Sequence, residues 1–194
     1  SVPDGVSDEV ASCITLKGIT AEYLLHRAYR LKKGDKVLYH AAAGALGQIL
    51  CPWANALGAE VIGTVGSKAK EEIAKKNGCH HVINYSEKDF VKEVEKTFGK
   101  NSLDVVYDGV GSKTFKGSIE TLKIRGMMVT FGNASGYVET LDIKKDINAK
   151  GLFFTRPSIA HYTVKREELV ESAKKVFDAV LTKKFKIEIS KRYP

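Results

Sequence analysis

The sequence predicts an α/β fold in which helices cover both faces of a doubly wound, six-stranded, mostly parallel sheet. Along the 194 residues, short runs rich in β-branched residues alternate with amphipathic stretches of helical period, and glycine-containing turns separate them. Parallel strands that are buried on both faces need crossover helices, and right-handed crossovers give the doubly wound arrangement. The length suits one domain with a well-buried core.

The first half of the chain is predicted to hold three of these strands. The strands lie at residues 36–40, 60–65 and 81–84, and helices at residues 8–30, 45–57, 67–76 and 88–98. Gly18 is expected to interrupt the first helix, because glycine weakens a helix interior. Pro52 lies inside the second helix and is expected to kink it, but the apolar spacing around it is helical, so a helix is still predicted over residues 45–57. Ser67 is the predicted N-cap of the third helix.

The second half repeats the scheme. Strands are predicted at residues 103–107, 127–131 and 152–155, and helices at residues 113–123 and 166–181. Because strand 152–155 comes last in the doubly wound order, we expect it at the outer edge of the sheet. Leu152, Phe153 and Phe154 would place apolar side chains on both faces of that edge, which is an aggregation hazard unless the edge is paired or covered.

The net charge of +8 is spread over segments of mixed charge. Lysines lie among acids at residues 68–72 and 92–96, and no aromatic residues alternate with basic ones in an RNP-like stretch. This pattern favours a solvated surface over a nucleic-acid partner. A basic chain still favours a polyanionic ligand, and a phosphorylated cofactor is one.

Neither a membrane partner nor secretion is predicted. No apolar run approaches the roughly 20 residues that a membrane span needs, and no basic stretch followed by an apolar one opens the sequence. Cys13, Cys51 and Cys79 are odd in number and widely spaced, without a CxxC pair. That pattern argues against a disulfide framework and for a reducing compartment, so a cytoplasmic location is expected.

A candidate phosphate-binding loop follows the first predicted strand. A dinucleotide loop needs small residues for a tight turn, for close approach of the backbone to the pyrophosphate, and for packing of the helix on the strand. Ala42, Gly44 and Gly47 occupy these places. The amides near Ala45 and Leu46 would face the pyrophosphate along the helix dipole. A packing turn without a ligand is the alternative, but the strand, loop, helix and second strand together favour the dinucleotide loop.

The end of the second strand favours NADPH over NADH. Proteins that bind NADH place an acid about 20 residues after the loop, where it binds the ribose hydroxyls. Here residues 63–70, at the end of the strand and in the turn after it, contain no carboxylate, and the next one is Glu71. Gly66 leaves room and Ser67 can donate a hydrogen bond, while Lys68 or Lys70 can meet a dianionic 2′-phosphate. Each lysine taken singly could equally be a solvated surface residue.

Seven motifs follow one another along nearly the whole chain. They are GITAEY (18–23), HAAAGALG (40–47), GTVG (63–66), VINY (82–85), VYDGVG (106–111), FGN (131–133) and TRPS (155–158). In this order they resemble the zeta-crystallin-like quinone oxidoreductases of the zinc-independent medium-chain dehydrogenase/reductase superfamily. The resemblance implies a six-stranded Rossmann domain that binds NADPH (NADP+).

The resemblance also implies roles for individual residues. It places Gly66, Lys70 and Tyr85 around the 2′-phosphate, with Lys70 a better match than Lys68. The remaining residues would lie near the nicotinamide half of the cofactor: Thr20 at the carboxamide, Val110 at the ribose, and Phe131, Gly132, Asn133 and Ser158 along the ring. Two alternatives stay open, since Phe131 could be a core residue and Tyr85 a surface tyrosine.

No metal site is predicted. In the zinc alcohol dehydrogenases of the superfamily a cysteine ligand stands four residues before the matching threonine, and Leu16 occupies that position here. Cys13, one helical turn earlier, is expected to be a small core residue. The run 79–81 contains a cysteine and two histidines, but adjacent residues of an extended chain point to opposite sides.

The resemblance divides the chain and leaves its chemistry incomplete. By this resemblance, residues 1–30 are expected to be an interdomain helical segment and residues 31–194 the NADP-binding domain, and a GroES-like catalytic domain and the extreme C-terminus are expected to be missing from this chain. No general acid or nucleophile is evident, so the catalytic residues are unknown and this fragment alone is expected to be inactive.

The expected function is transfer of a hydride from NADPH to a quinone-like substrate by the full-length protein. The alternatives are an enoyl or alkenal reductase of the same superfamily and a non-catalytic, crystallin-like NADPH-binding protein. We also expect a homodimer that pairs the edge strand 152–156 with its copy. A monomer whose edge is covered by residues 158–165 is the alternative.

Overall fold

The predicted fold is confirmed by the computed structural model, which describes residues 1–189, 191 and 192. The strands are β1 (Lys36–His40), β2 (Glu60–Val65), β3 (His81–Asn84), β4 (Leu103–Asp108), β5 (Leu122–Thr130) and β6 (Phe153–Thr155). They form one sheet in the order β3-β2-β1-β4-β5-β6, and every neighbouring pair is parallel. Residues 190, 193 and 194 of the predicted domain lie outside the described part.

Seven α-helices and three helical segments of other types connect the strands in the described part of the chain. The α-helices are α1 (Asp8–Tyr23), α2 (Gly47–Ala56), α3 (Glu71–Lys76), α4 (Phe90–Phe98), α5 (Phe115–Thr121), α6 (Ile159–Tyr162) and α7 (Arg166–Leu181). The other segments are π-helical at Leu24–Ala28 and Ile143–Asn148 and 3₁₀ at Lys68–Lys70.

The sheet separates two apolar cores, because successive side chains of a strand point to opposite faces. On one face Val37 and Tyr39 pack with α1, α2 and α7. On the other face Leu38 packs with α4 and α5. Helices therefore cover both faces, as the sequence predicts.

The expected interruption of the first helix at Gly18 is wrong. Helix α1 runs through this residue, and a Cβ there would lie 2.5 Å from Cγ1 of Val176 in α7. Gly18 thus allows two helices to pack closely instead of breaking one. The α-helix ends at Tyr23, and the π-helical segment after it begins at Leu24. The Leu24 carbonyl accepts the N–H of Tyr29 at 3.3 Å and the buried hydroxyl of Tyr107 at 3.0 Å.

A buried polar group ties α1 to α7. The Glu22 side chain is fully buried and accepts a hydrogen bond from Ser172 Oγ at 2.8 Å. Arg27 Nη2 lies 3.0 Å, and Lys175 Nζ 3.3 Å, from its carboxylate oxygens. Two cations and a hydroxyl offset the cost of burying this acid, and they fix the first helix against the last.

Several boundaries differ from the sequence prediction. Helix α2 begins at Gly47, because residues 41–46 form successive turns. Ser67 makes no capping hydrogen bond with its side chain, and the segment after it is a short 3₁₀ turn that leads into α3. Helix α5 ends at Thr121 and passes directly into β5, whose ladder to β4 is irregular before Met127. No helix of the described residues is long and apolar enough to cross a membrane.

Candidate functional site

The sheet reverses its order between β1 and β4, and two clefts open where the strands end. Ligands of open parallel sheets bind at this kind of switch point. The larger cleft has a volume of about 450 Å³ and is lined by Ala41, Tyr85, Lys88, Asp89, Phe90, Val110, Lys113, Thr114, Ala134 and Ser135. The smaller one, of about 110 Å³, is lined by Ala41, Ala43, Gly44, Val65, Gly66, Lys70 and Tyr85.

The loop after β1 is closely packed at one glycine. A Cβ on Gly47 would lie 2.2 Å from the carbonyl oxygen of Ala42, so the start of α2 can rest on the strand end only with glycine here. Gly44 and Ala45 are exposed, and Leu46 is buried beneath them. The first helical donor, Gln48 N, bonds to Gly44 O at 3.1 Å. The amides before it belong to the helix start, where donors have no helical partner and can meet an anion.

Three of the predicted 2′-phosphate residues come together in the smaller cleft. Gly66, Lys70 and Tyr85 all line it, and a Cβ on Gly66 would lie 2.8 Å from the Tyr85 hydroxyl oxygen. Among the described residues, those that line this cleft include one cation and no carboxylate. Ser67 follows Gly66 directly and is half-buried, but it does not line the cleft. The geometry suits a compact dianion.

The predicted nicotinamide side is built where β4 and β5 end. Val110 lines the larger cleft. A Cβ on Gly132 would lie 2.3 Å from the carbonyl oxygen of Gly109, so the two strand ends touch through their backbones. Phe131 is half-buried and its ring stacks 6.4 Å from that of Tyr39, which makes it partly a core residue. Asn133 is exposed beside them.

The structure does not bring Thr20 and Ser158 into either cleft. Thr20 lies on α1, and its hydroxyl donates to the Leu16 carbonyl at 2.8 Å. Ser158 precedes α6, and its N–H donates to His161 Nδ1 at 3.3 Å. Helix α6 stacks Tyr162 on Tyr23 of α1 with ring centroids 4.6 Å apart. Thr20 and Ser158 therefore lie near each other where α1 and α6 pack, and their predicted contact with nicotinamide stays a prediction.

A buried polar network under the clefts escaped the sequence analysis. Asp108 and His40, which end β4 and β1, are fully buried and are joined through Ser118 of α5. Burial lowers the pKa of His40 below its usual value, although nearby Asp108 opposes this shift. The ring is thus neutral at pH 7. Helical spacing could not reveal this network, because its members lie far apart in sequence.

The described residues contain no group of three or more metal-ligating side chains. Leu16, at the position of the superfamily's cysteine ligand, is exposed and apolar. Cys13 is exposed, so its expected place in the core is wrong. In the run 79–81, Cys79 is buried, His80 Nδ1 accepts the Val61 N–H at 3.0 Å, and His81 contacts Glu60. The donors of the described residues at these positions do not fit a zinc site.

The outer strand β6 carries exposed aromatic side chains. Phe153 is 58% and Phe154 37% exposed, whereas Leu152 before the strand is buried. Only two of the three apolar residues expected at this edge therefore face solvent. The 158–165 segment holds α6, which packs on α1 through Tyr162.

Comparison with known proteins identifies relatives over nearly the whole chain. The family model described as zinc-binding dehydrogenase matches residues 45–181. The chain is 46% identical over 182 residues to a 2-haloacrylate reductase from Burkholderia sp, which is 93% of this chain and 55% of that protein. It is 42% identical over 196 residues to quinone oxidoreductase 1 of Escherichia coli strain K12, which is 100% of this chain and 60% of that protein.

A solved structure extends this likeness. The crystal structure of Escherichia coli quinone oxidoreductase complexed with NADPH superposes with a TM-score of 0.91 at 42% identity, covering 97% of this chain and 58% of the other. The resemblance inferred from the seven motifs is thereby confirmed. The chain spans little more than half the length of the relatives it matches.

Proposed function

Because this chain belongs to the zinc-binding dehydrogenase family, we propose that it is the NADPH-binding domain of a reductase that transfers a hydride from NADPH to a quinone. The observation that carries the proposal is the smaller cleft. It presents the Lys70 ammonium beside Gly66 and Tyr85, and among the described residues its lining has no carboxylate. A cation without a competing acid favours a phosphate over free ribose hydroxyls.

The strand ends supply the groups that would hold this cofactor. The pyrophosphate would be met by the amides at residues 44–47, which open α2. The 2′-phosphate would be met by Lys70 and Tyr85, with Ser67 next to them. Val110 would contact the nicotinamide ribose, and the ring would lie along Phe131, Gly132 and Asn133, with Thr20 and Ser158 on its other side. NADPH supplies the hydride, and these residues bind and orient it.

We assign residues 31–194 to this domain and residues 1–30 to the helical segment that leads into it. The catalytic residues and the wall of the substrate cleft would belong to the remainder of the full-length protein, since the matched segments make up only 55% and 60% of the two relatives. The buried free thiols of Cys51 and Cys79 fit a reducing compartment, so we place the protein in the cytoplasm.

The first test is cofactor preference. NADPH should bind this chain more tightly than NADH, and Lys70→Ala should remove most of the difference. A charge-assisted contact to phosphate is worth roughly 1.5–3 kcal/mol, which is about ten- to a hundredfold in affinity. Fluorescence titration with both cofactors measures it.

The matched control is Lys68→Ala, two residues earlier in the same exposed turn. It should leave the preference within about threefold, since removing a solvated lysine changes only long-range screening. Equal affinities of the unaltered chain for NADPH and NADH would defeat the proposed cofactor. Equal effects of the two lysine variants would move the 2′-phosphate contact away from Lys70.

A second candidate function is reduction of an electron-poor alkene. It is favoured by the 46% identity to a protein named 2-haloacrylate reductase. Oxidation of NADPH by the full-length protein separates the candidates when a quinone and 2-chloroacrylate are offered as alternative acceptors. Turnover with the quinone alone supports the first proposal, and turnover with the acrylate alone supports the second. Tight binding without turnover of either would indicate a non-catalytic NADPH-binding protein.

We further propose that two copies pair through strand β6. Its solvent edge carries Phe153 and Phe154, and an unpaired apolar edge strand is prone to association. Light scattering at high micromolar concentration should show a dimer for the unaltered chain and a monomer for Phe153→Lys. A monomeric unaltered chain would refute the pairing, and a dimeric variant would locate the interface elsewhere. Ile124→Lys, on another exposed apolar residue of the described part, is the control for charge alone.

A further inference from the structure

Three buried polar residues stand side by side across the sheet. Thr64 of β2 lies opposite His40 of β1, and Tyr39 lies opposite Tyr107 of β4, so Asp108 follows next to His40 in the same register. His40 and Asp108 are the last residues of their strands, and Thr64 is the last but one of its strand. Each therefore precedes a different loop at the cleft.

His40 connects this row through both ring nitrogens. Its Nδ1 lies 2.8 Å from Thr64 Oγ1, and its Nε2 lies 2.9 Å from Oγ of Ser118 in α5. Ser118 Oγ in turn lies 3.2 Å from Asp108 Oδ2. A continuous chain of side-chain hydrogen bonds thus runs from β2 through β1 to β4 without contact with solvent.

Asp108 connects this chain of hydrogen bonds to the backbone of the turn after β4. Its Oδ1 accepts the N–H of Val110 at 2.8 Å and that of Gly111 at 3.0 Å. Thr114 Oγ1 donates to the same carboxylate at 2.8 Å from Oδ2. At the opposite end of the row, the Thr64 carbonyl accepts the N–H of Ala42 at 3.0 Å.

The protons of the network can be assigned by counting donors. Ser118 Oγ has one proton and two acceptors, the Thr114 carbonyl oxygen at 2.8 Å and Asp108 Oδ2 at 3.2 Å, so Ser118 Oγ accepts from His40 Nε2. The neutral ring then carries its proton on Nε2, and Nδ1 accepts from the Thr64 hydroxyl. This is a fully satisfied arrangement, which is what makes a buried polar network rigid.

We propose that Thr64, His40, Ser118 and Asp108 act as positioning residues that fix the spacing between the loop for the 2′-phosphate and the turn for the nicotinamide ribose. The proposal rests on the proposed function, because it needs a ligand that spans both places. Thr64 lies two residues before Gly66, and Asp108 two residues before Val110. A dinucleotide must contact both loops at once, whereas a fragment that carries only the 2′-phosphate contacts one of them.

The test compares a spanning ligand with a fragment. Ser118→Ala removes the link between His40 and Asp108 by deleting one oxygen atom. It should weaken binding of NADPH by about fivefold, the effect of one lost buried hydrogen bond, and leave binding of 2′,5′-ADP within about twofold. Isothermal titration of this chain with both probes measures the two effects.

Thr121→Val is the matched control. Thr121 is a buried hydroxyl on the same helix, and it donates only within that helix, to Ser118 O at 2.8 Å. Thr121→Val should change the affinity for NADPH and for 2′,5′-ADP by no more than about twofold. It should lower the free energy of unfolding by about as much as Ser118→Ala does. Ser118→Thr, which restores an acceptor and a donor at the site, should recover part of the NADPH affinity.

The possible results separate this proposal from the proposed function. If the unaltered chain binds neither probe, the proposed function fails. If it binds both and Ser118→Ala weakens both equally, or neither, the positioning role is wrong although the cofactor is right. Loss of NADPH affinity alone, with unchanged affinity of the Thr121→Val protein, is the expected outcome.

Discussion

The loop after β1 and the turn after β4 approach the same cleft but are held in different ways. The first is held by close backbone packing that only glycine allows, since a Cβ on Gly47 would lie 2.2 Å from the Ala42 carbonyl oxygen. The second is held by a side chain, the buried Asp108 carboxylate, which binds the N–H groups of Val110 and Gly111. The two are joined by His40.

This difference decides how each loop tolerates change. A loop fixed by backbone contact has little room to relax, so an added methyl group acts directly on the main chain. A turn fixed by a carboxylate depends on hydrogen bonds, which a substitute of similar shape can partly reproduce. The first loop is therefore predicted to be sensitive to volume and the second to polarity.

Gly47→Ala should have the largest effect on stability. The new Cβ meets buried backbone, so we expect a loss of about 3 kcal/mol in the free energy of unfolding, measured by urea titration. Gly44→Ala in the same loop is the control, since its Cβ would lie 3.1 Å from Ala41 O at the surface and should cost less than about 1 kcal/mol. Similar losses for both variants would contradict the comparison.

His40 should make stability depend on pH. Burial lowers its pKa in the folded protein below the value of about 6.5 that it has when unfolded. As pH falls below 6.5, the unfolded chain takes up a proton that the folded chain does not, so stability decreases by up to about 1.4 kcal/mol per pH unit. The loss continues until pH passes through the folded pKa.

Unfolding titrations between pH 7 and pH 5 test this slope. His40→Gln should make it shallower, because glutamine does not titrate. The pKa of His26 is also lowered by burial, so His26→Gln should remove a separate part of the slope. An unchanged slope in His40→Gln would show that the ring titrates alike in the folded and unfolded chains, which conflicts with a buried neutral ring in the network.

Ala41→Gly should have the smallest effect, and it should be stabilising. Ala41 begins the first loop with φ of +65°, a left-handed conformation that favours glycine. Relief of that conformation is worth about 1 kcal/mol, part of which the greater freedom of unfolded glycine offsets. Ala43→Gly, at a position without positive φ, should instead destabilise by about 0.5–1 kcal/mol. Thermal melting of both variants compares the signs.

The fold could be predicted because its local patterns agree with its topology. The strands are short apolar runs such as β1 and β4, and each is followed by a segment of helical period. Gly18 misled the prediction, because its effect on helix propensity is visible in sequence and its contact with Val176 is not. The same holds for Cys13, whose type favours burial while its place on α1 leaves it exposed.

The site was predictable where it depends on neighbours in sequence. The alternation of small residues at 42–47 and the missing acid before Glu71 indicate the loop and the cleft directly. The network under them depends on Thr64, Asp108 and Ser118, which meet His40 only after three strands and a helix have assembled. No local pattern could have indicated it.

The contact between α1 and α7 also has a consequence for synthesis. Glu22 and its partner Ser172 are 150 residues apart, so at about 5–20 residues per second the first helix emerges from the ribosome roughly 8–30 seconds before the last one exists. During that interval the surface of α1 that α7 later covers stays accessible to chaperones and proteases. The final helix of the domain therefore sets the moment at which the nascent chain becomes protected.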